Sequence, residues 1–489
     1  MKNPNHSAAS VHTAADTGTD AGRRAFLRRS SQLAMTGTAL PFALNMAAMG
    51  EAAAFEASDY KALVCVFLGG GNDYANTVVT YDEPSHAKYT AARANIALAK
   101  SSLTSTLLRP AKPLADGRQY ALNPAMSAMA AMFNSGKAAV QLNVGPLIVP
   151  LTREQFNSKA YPLPPKLMSH NDQSAVWQSL AAEGGGSGWG GRIGDLALAG
   201  NSNSNFTCIS ASGNAVFVSG KNAVQYQIST GGAVPFNAAK SNVYGSSAVK
   251  AAMNTLLNQQ PTHLMESEYR RVTQRSISSE ALVNASIGTS SVLHTTFPSN
   301  SPLADQLKMV ARLIAARNSL GSPKRQVFFV SVGGYDLHDN LKAQHPIVLG
   351  QLSEALAAFY NATVELGLAQ QVTSFTASDF GRTLVTNGDG SDHGWGSHHF
   401  VVGGAVKGNA FYGVSPPVSL GNTSAAEDQW HIGQGRLLPS TSVDQYAATL
   451  ARWFGVADAE LNGLLPNLHN FGAPAGRPDY PRNMGFMAT

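Results

Sequence analysis

The sequence predicts an α/β protein with a doubly wound, mostly parallel sheet and helices on both faces. Two patterns support this fold class: apolar runs with the length of a strand recur along the chain, and helical patterns alternate with them. Of the 489 residues, 44% are hydrophobic and 13% are charged, so the chain can bury a large core. The sequence is rich in Gly, Ser and Asn between these runs, which indicates many tight turns.

Four apolar runs are predicted to be strands. They are rich in Val and Phe and are apolar on both faces, as in parallel strands covered by helices on either side. Each run stops at a Gly or a polar residue. The runs are KALVCVFLGGGND (61–73), KAAVQLNVG (137–145), RQVFFVSVGGYDLHDN (325–340) and QQVTSFTASDFGRT (370–383).

Four segments have the apolar spacing of helices. The helices predicted at 302–320 and 346–369 each directly precede a predicted strand, as expected when strands and helices alternate. The final helix has Ser442 or Thr441 as its N-cap. The predicted helices lie at 123–136, with Pro124 near the first turn, and at 302–320, 346–369 and 441–456.

Residues 55–489 are predicted to form a single domain that includes a Gly-, Ser- and Asn-rich insertion around 185–245. The insertion contains short strand-like pieces, NFTCISASG and AVFVSGK. We expect it to form either a second sheet or an insertion that faces the functional site. Its many small and polar residues favour turns over long regular elements.

Residues 1–54 are predicted to be a twin-arginine export signal. The segment GRRAFLRR places Arg23 and Arg24 before a mildly apolar run, and Ala52 and Ala54 are small residues suited to a peptidase, with cleavage near Ala54. The alternative is a basic amphipathic helix of the folded domain. Export predicts a periplasmic or extracellular location. No other run approaches the roughly 20 apolar residues of a membrane helix, so we expect no transmembrane segment in the mature chain.

The charge and the cysteines constrain the function further. The net charge is +5, and no basic run interleaved with aromatic residues follows the leader, so the sequence does not predict nucleic-acid binding. Cys65 and Cys208 both lie in apolar runs and are expected to be small buried hydrophobes. A disulfide between them is an open alternative in an oxidising compartment.

Polar residues follow the predicted strands where those strands end. In open parallel sheets ligands bind beyond the carboxyl ends of the strands, so these side chains are expected to converge on one crevice. They are Asp73, Asp336, His338 and Asp379. Because strand side chains alternate, Asp336 and His338 face the same side. Carboxylate plus imidazole suits one or two Zn, Mn or Fe ions. A capped turn is the alternative interpretation of the Asp-Leu-His segment.

The segment SDHGWGSHHFVVGG (391–404) follows the fourth predicted strand by about a dozen residues. It places Asp392 and His393 near the crevice, and we expect one wall of the metal site here. His398 and His399 point in opposite directions in an extended segment, so at most one of them is expected to be a ligand.

Two further pairs are candidates for chemistry. Asp379 is predicted to be a metal ligand, and the planar guanidinium of Arg382 is predicted to bind a tetrahedral oxyanion. The alternative is that Asp379 caps the following helix and Arg382 forms a salt bridge. Ser169 and His170 directly precede a helical pattern. Ser169 is predicted as a nucleophile whose attack is favoured by helix N–H groups or a metal, and a simple N-cap is its alternative role.

Several segments together resemble the bacterial family called domain of unknown function 1501, from about residue 23 to 475. The resemblance rests on the leader and on VFLGGGNDYANTVV, LMSHNDQSAVWQS, GWGGRIGDL, VGGYDLHDN, SDFGRT, DHGWGSHHFVVGGAVKG and DQYAATLARWFG. That family is in turn similar to the alkaline phosphatase and sulfatase superfamily. The resemblance implies a doubly wound α/β sheet with a two-metal site at the strand ends.

The resemblance also implies roles for individual residues. Phe380 departs from the superfamily pattern, because a second metal ligand, His, usually stands there. Carried over segment by segment, the metal ligands are Asp73, Asp336, His338, Asp379 and His393, and Ser169 or His170 lies where the nucleophile segment is expected.

These observations predict an exported metal-dependent hydrolase of phosphate or sulfate esters. Its substrate is expected to be an anionic ester, either a small molecule or one borne by a polymer. The alternative is a catalytically degenerate member of the fold that acts as a periplasmic or surface-bound binding or accessory protein. A redox protein is not favoured, because the chain has no CxxC motif and no dinucleotide fingerprint.

Overall fold

A mostly parallel sheet of nine strands forms the centre of the protein. The computed structural model describes residues 57–260, 262–289, 293–476 and 479–488, so the predicted export signal lies outside the described residues. The strands are β1 (Lys61–Leu68), β2 (Val78–Thr80), β3 (Tyr120–Leu122), β4 (Ala138–Gly145), β5 (Cys208–Ser210), β6 (Tyr226–Gln227), β7 (Arg325–Val332), β8 (Val372–Ser378), β9 (Arg382–Thr386), β10 (Ser391–His393), β11 (Ser397–Gly403), β12 (Phe411–Tyr412) and β13 (Thr441–Ser442).

The strand order of the central sheet is β12-β4-β11-β8-β1-β7-β5-β6, with β13 also paired to β4. Every pair in this sheet is parallel except the two that involve β11. Two small antiparallel pairs, β2 with β3 and β9 with β10, lie outside it. The prediction of a mixed α/β protein with a mostly parallel sheet is confirmed.

Helices connect the strands. They are α1 (Tyr74–Thr77), α2 (Glu83–Arg93), α3 (Ser127–Asn134), α4 (Arg153–Ser158), α5 (His170–Ser179), α6 (Trp189–Ala197), α7 (Asn237–Lys240), α8 (Ser247–Asn258), α9 (Leu264–Thr289), α10 (Pro302–Ala315), α11 (Leu341–Glu365), α12 (Val443–Phe454) and α13 (Leu461–Leu464). The described residues from 57 onward belong to one compact unit.

Strand β1 shows why both faces of the sheet are apolar. Its alternate residues Val64 and Val66 pack into one hydrophobic core together with residues of α3, α10 and α11. Leu63 and Cys65 point to the opposite face and pack with residues of α6 and α12. Because β1 is buried from both sides, it has the continuous apolar run that its sequence shows.

The helix boundaries differ from the predicted ones where distant contacts intervene. Helix α11 begins at Leu341, five residues before the predicted start at Pro346. The backbone N–H of Asn340 donates to the carboxylate of Asp389, and that of Leu341 donates to the Asp389 carbonyl. These contacts satisfy N–H groups at the helix start, which a sequence pattern does not show. Helix α12 begins after Ser442, whose hydroxyl accepts from the Gln445 N–H in a capping box.

The Gly-rich insertion extends the central sheet. Within the described residues of 185–245, β5 pairs with β7 and β6 pairs with β5, so neither belongs to a second sheet. Cys65 on β1 and Cys208 on β5 are both buried free thiols. Strand β7 lies between β1 and β5. Two strand spacings, roughly 9–10 Å, exceed the Cα separation of a disulfide. In the described part of the chain no helix is long and apolar enough to cross a membrane.

Candidate metal centre at the ends of three strands

The candidate site lies beyond the carboxyl ends of three adjacent parallel strands, β8, β1 and β7. Their last residues are aligned: Leu68 pairs with Val332 on one side and with Ser378 on the other. The chain segments that follow these strands therefore leave the sheet next to one another. Asp336 and Asp379 lie in two of these segments, as the sequence predicts, and the third is the glycine-rich segment after β1.

Two glycines allow the segment after β1 to pass close to the other two. Gly70 has a φ of +119°, and a Cβ atom there would lie 2.4 Å from the backbone nitrogen of Asp336. Gly71 has a φ of +82°, and a Cβ atom there would lie 2.4 Å from the ring of Phe380. Only glycine combines these conformations with such close approach. The Gly70 N–H also donates to Oδ2 of Asp379 at 3.2 Å.

Three histidines surround the carboxylate of Asp336. The Nε2 atoms of His338 and His393 lie 3.1 and 3.3 Å from its Oδ1 atom, and that of His170 lies 3.4 Å from its Oδ2 atom. The Asp336 side chain is 45% exposed, so the cluster opens to solvent. The small sheet formed by β9 and β10 positions His393, which pairs with Arg382 on the neighbouring strand.

Each of these histidines has an acceptor at its other ring nitrogen. The Nδ1 atom of His170 lies 2.6 Å from Oδ2 of Asp379. That of His338 lies 3.3 Å from Oδ1 of Asp392, and that of His393 lies 2.8 Å from the Met168 carbonyl. An acceptor at Nδ1 favours the tautomer that carries the proton there, in which the Nε2 lone pair is available to a metal, the usual arrangement of histidines that bind metals.

The donor set fits a divalent metal of the zinc type. His170, Asp336 and His393 each offer a ligand atom, and these atoms lie within 4.8 Å of one another. The Nε2 atom of His170 is buried without a hydrogen-bond partner. The Nε2 atoms of His338 and His393 lie 2.9 Å apart, and two lone pairs at that distance repel unless a cation or a proton lies between them. Imidazole and carboxylate ligands suit Zn, Mn or Fe.

Arg382 is buried beside Asp336 and orients it. Its Nη2 atom donates to Oδ1 of Asp336 at 2.6 Å and to the Tyr335 carbonyl at 3.2 Å, while Nε donates to the Gly71 carbonyl at 3.0 Å. Burial disfavours the charged form of Asp336, but the charge and hydrogen bond of Arg382, together with His170 and His338, outweigh it and lower the pKa of this carboxyl. The predicted contact of Arg382 with an oxyanion stays a prediction.

The pKa of His393 is also displaced. Burial lowers it, and the positive charge of Arg382 adds to that effect, although the hydrogen bond to Met168 opposes it. A lowered pKa keeps the imidazole neutral, which is the form that binds a metal.

The structure does not bring Asp73 into this cluster. Its Oδ2 atom lies 2.6 Å from Nη2 of Arg93 and accepts from the Ser391 hydroxyl at 2.7 Å, while Oδ1 accepts from the Asn76 N–H. Arg93 also donates to the carbonyl oxygens of Thr383 and Leu384 in β9. Asp73 therefore anchors the small sheet that carries Arg382 and His393, and no motif in the sequence pairs it with Arg93.

His398 and His399 also lie apart from the cluster. His398 is buried, and its Nδ1 atom accepts from the Asn143 N–H at 3.0 Å. His399 packs against Trp177, with Nδ1 3.3 Å from the Thr376 hydroxyl. Both rings are surrounded by core side chains.

Ser169 is the residue directly before helix α5, which begins at His170. Its hydroxyl donates to Oδ2 of Asp172 at 2.8 Å and makes no hydrogen bond to the helix backbone. Lys166 lies 3.4 Å from the other oxygen of Asp172. His170 thus enters the cluster, whereas Ser169 faces an acidic partner one turn along the helix.

Comparison with protein families matches residues 60–463 to the family described as "Protein of unknown function (DUF1501)". The chain belongs to this family. The match covers the strands and loops that build the cluster.

A search of curated proteins finds no match for this chain. Among solved structures, it is similar to the crystal structure of Ps i-CgsB, with 8% sequence identity, 87% of this chain and 78% of that chain covered, and a TM-score of 0.36. The same protein in complex with k-i-k-neocarrahexaose gives the same identity and coverage and a TM-score of 0.35. A likeness at this level carries no argument about function.

Proposed function

We propose that this member of the family is an exported metal-dependent hydrolase of phosphate or sulfate esters. The observation that carries the proposal is the convergence of the Nε2 atoms of His170, His338 and His393 on Asp336, with an acceptor at each Nδ1 atom. Such a set of ligands suits a catalytic metal whose remaining position faces solvent.

The proposal includes a distant relationship to the alkaline phosphatase and sulfatase superfamily. It is supported by the position of Asp336 and Asp379 beyond the two parallel strands that flank β1, where open α/β sheets bind ligands. Export through the twin-arginine leader is part of the same proposal and rests on Arg23 and Arg24 of the sequence.

In this proposal His170, His338, His393 and Asp336 hold one divalent ion, either Zn, Mn or Fe. Such an ion, when bound, polarises an ester oxygen and neutralises charge that develops during hydrolysis. Arg382 holds Asp336 in place, and Asp379 holds His170 by its Nδ1 proton. Asp379 thus acts through His170 in this proposal, whereas the sequence predicts it as a direct ligand.

Ser169 supplies the nucleophilic hydroxyl in this proposal. The Ser169 oxygen attacks the phosphorus or sulfur atom while its proton passes to Asp172, whose Oδ2 atom accepts the hydroxyl hydrogen bond at 2.8 Å. The bond to the alcohol oxygen of the substrate breaks, and the proton on Asp172 passes to the departing alcohol. A water molecule then hydrolyses the ester formed on Ser169 and restores the hydroxyl. A Ser169→Ala variant is expected to keep its metal and lose most of its turnover, since a nucleophile is removed without disturbing the ligands.

A binding or accessory protein is the second candidate, and one observation favours it. Asp73, predicted to be a metal ligand, is held in a buried ion pair with Arg93. The cluster therefore assembles ligands for one ion, whereas the two-metal mechanism places an ion at both the attacking and the leaving oxygen.

Elemental analysis of protein purified without chelator tests the proposal, together with hydrolysis of 4-nitrophenyl phosphate and 4-nitrophenyl sulfate. We expect about one Zn, Mn or Fe ion per chain, lost in Asp336→Ala and His393→Ala. The exposed His469 provides the matched control His469→Ala. Absence of metal in folded wild-type protein, even after added Zn or Mn, would contradict the proposal. Bound metal without hydrolysis of either ester would favour the binding protein.

A further inference from the structure

A short hairpin at residues 430–438 packs beside the metal cluster. The Leu438 N–H donates to the Trp430 carbonyl, and the Ile432 N–H donates to the Arg436 carbonyl. The carbonyl of Gln434 in the turn accepts from the N–H groups of two residues of β9 at 3.1 and 3.3 Å. The hairpin is therefore attached to the strand that begins with Arg382, and its backbone position is fixed relative to the cluster.

The side chain of Arg436 extends from this hairpin to the backbone of His393. Its Nε atom donates to the backbone carbonyl of His393 at 2.7 Å, which holds the guanidinium against the segment that carries a proposed ligand. The side chain is half-buried. Its terminal amino groups, Nη1 and Nη2, have no hydrogen-bond acceptor among the described residues. Arg382, by contrast, uses Nε and Nη2 to bind protein oxygens.

Asp392 balances the charge of Arg436 without occupying its N–H groups. Its Oδ1 atom lies 2.9 Å from Nδ2 of Asn387 and 3.3 Å from Nδ1 of His338. The guanidinium of an arginine is a cation at neutral pH. A partly desolvated cation with free N–H donors is suited to bind an anion.

We propose that Arg436 binds the anionic oxygens of the phosphate or sulfate group at the metal centre, through Nη1 and Nη2. This inference rests on the proposed function and deepens it, because it names the residue that recognises the anion. The forked geometry of a guanidinium matches two oxygens of a tetrahedral anion, whereas the three histidines and Asp336 are suited to hold the metal. Arg436 thus selects anionic esters over neutral ones.

A purely structural role for Arg436 makes a different prediction. If its only function is to brace the His393 carbonyl, its loss weakens metal binding, and anion binding falls only as the metal is lost. If it binds the anion, its loss weakens anion binding at unchanged metal content. Metal content and phosphate affinity, measured on the same preparations, therefore separate the two roles.

The experiment is titration of the zinc-treated protein with inorganic phosphate and with sulfate by calorimetry. The variants are Arg436→Met, Arg436→Lys and, as a control, Arg271→Met, which removes an exposed arginine paired with Glu268 on helix α9. We expect about ten- to hundredfold weaker phosphate binding in Arg436→Met, a smaller loss in Arg436→Lys, and wild-type behaviour in Arg271→Met. The zinc content of all four proteins is expected to be equal.

Three results would overturn the inference: no binding of either anion by the wild type, equal affinity in Arg436→Met, or a joint loss of zinc and phosphate in that variant. Failure of the proposed function has a separate signature, since a protein that binds phosphate through Arg436 but hydrolyses neither ester retains the anion site and lacks the activity. If the wild type takes up no zinc, the same titrations on the metal-free proteins decide whether Arg436 binds the anion.

Discussion

The Nδ1 atom of His170 lies 2.6 Å from the Oδ2 atom of Asp379, and the Nε2 atom of the same ring lies 3.4 Å from Asp336. The carboxylate of Asp379 is buried, and the imidazole lies between the two acidic side chains. Asp379 therefore fixes both the tautomer and the orientation of His170, the role that carboxylates play behind histidines that bind metals.

Replacing this orienting carboxylate is expected to weaken metal binding without abolishing it. In Asp379→Asn the amide still fills the space but holds the Nδ1 proton of His170 less strongly, so zinc affinity is expected to fall by about 10- to 100-fold. Competition with a chromogenic chelator measures this change. Asp458→Asn, at an exposed ion pair with Arg452, is the control. Unchanged zinc affinity in Asp379→Asn would show that Asp379 has no role in the metal centre.

Breaking the buried pair of Asp73 and Arg93 is expected to destabilise the protein. Both side chains are almost fully buried, so Arg93→Met leaves an uncompensated carboxylate and is expected to lower the free energy of unfolding by about 3–5 kcal/mol. Urea unfolding measures it. The double variant Asp73→Asn with Arg93→Met is expected to recover part of the loss. If Asp73→Asn alone removes the metal from folded protein, Asp73 is a ligand after all.

Gly70 is expected to be intolerant of a side chain. In Gly70→Ala the new Cβ atom meets the Asp336 nitrogen at 2.4 Å and the backbone has a φ of +119°, so both stability and zinc affinity are expected to fall. The strain alone contributes at least about 1 kcal/mol. Gly333→Ala is the matched control, because its Cβ atom would meet nothing within 4 Å. Equal thermal unfolding of the two variants would contradict this description of the loop.

Asp444 is expected to make stability depend on pH. Burial raises its pKa to about 6, although hydrogen bonds from Asn467 oppose the shift. Because the folded state holds this proton more tightly than the unfolded state, stability contributed by Asp444 is present below pH 4 and is lost as the pH rises to about 6. The loss amounts to roughly 3 kcal/mol.

Urea unfolding at pH 4, 5, 6 and 7 tests this expectation on wild-type protein and on Asp444→Asn. The variant does not titrate, so its stability should change less across this range. The lowered pKa of the buried Asp73, which arises because Arg93, His345 and Ser391 together outweigh burial, acts in the opposite direction. The stability contributed by Asp73 is lost only as the pH falls below about 4, so the effects of Asp73 and Asp444 occur in different pH ranges. Parallel pH profiles for the two proteins would rule out a raised pKa at Asp444.

The sequence by itself determined where the principal strands lie and that polar residues follow them. The runs that contain β1, β4, β7 and β8 are apolar on both faces. A strand that is buried from both sides needs apolar residues at every position, so its sequence alone shows the pattern. Asp336, His338 and Asp379 could be predicted as site residues because the carboxyl ends of parallel strands meet at one edge whatever the strand order. His393 and Asp392 followed from their closeness to the fourth run.

The tertiary structure decided which of these side chains meet. That β1 lies between β7 and β8 depends on the pairing of segments about 260 to 310 residues apart. Asp73 and Asp336 both follow apolar runs, yet only Asp336 faces the histidines, because Arg93 pairs with Asp73. Arg436 reaches His393 through a hairpin with no sequence motif. Local patterns report burial and periodicity, whereas the partner of a buried charge depends on contacts between distant segments, which only the folded chain defines.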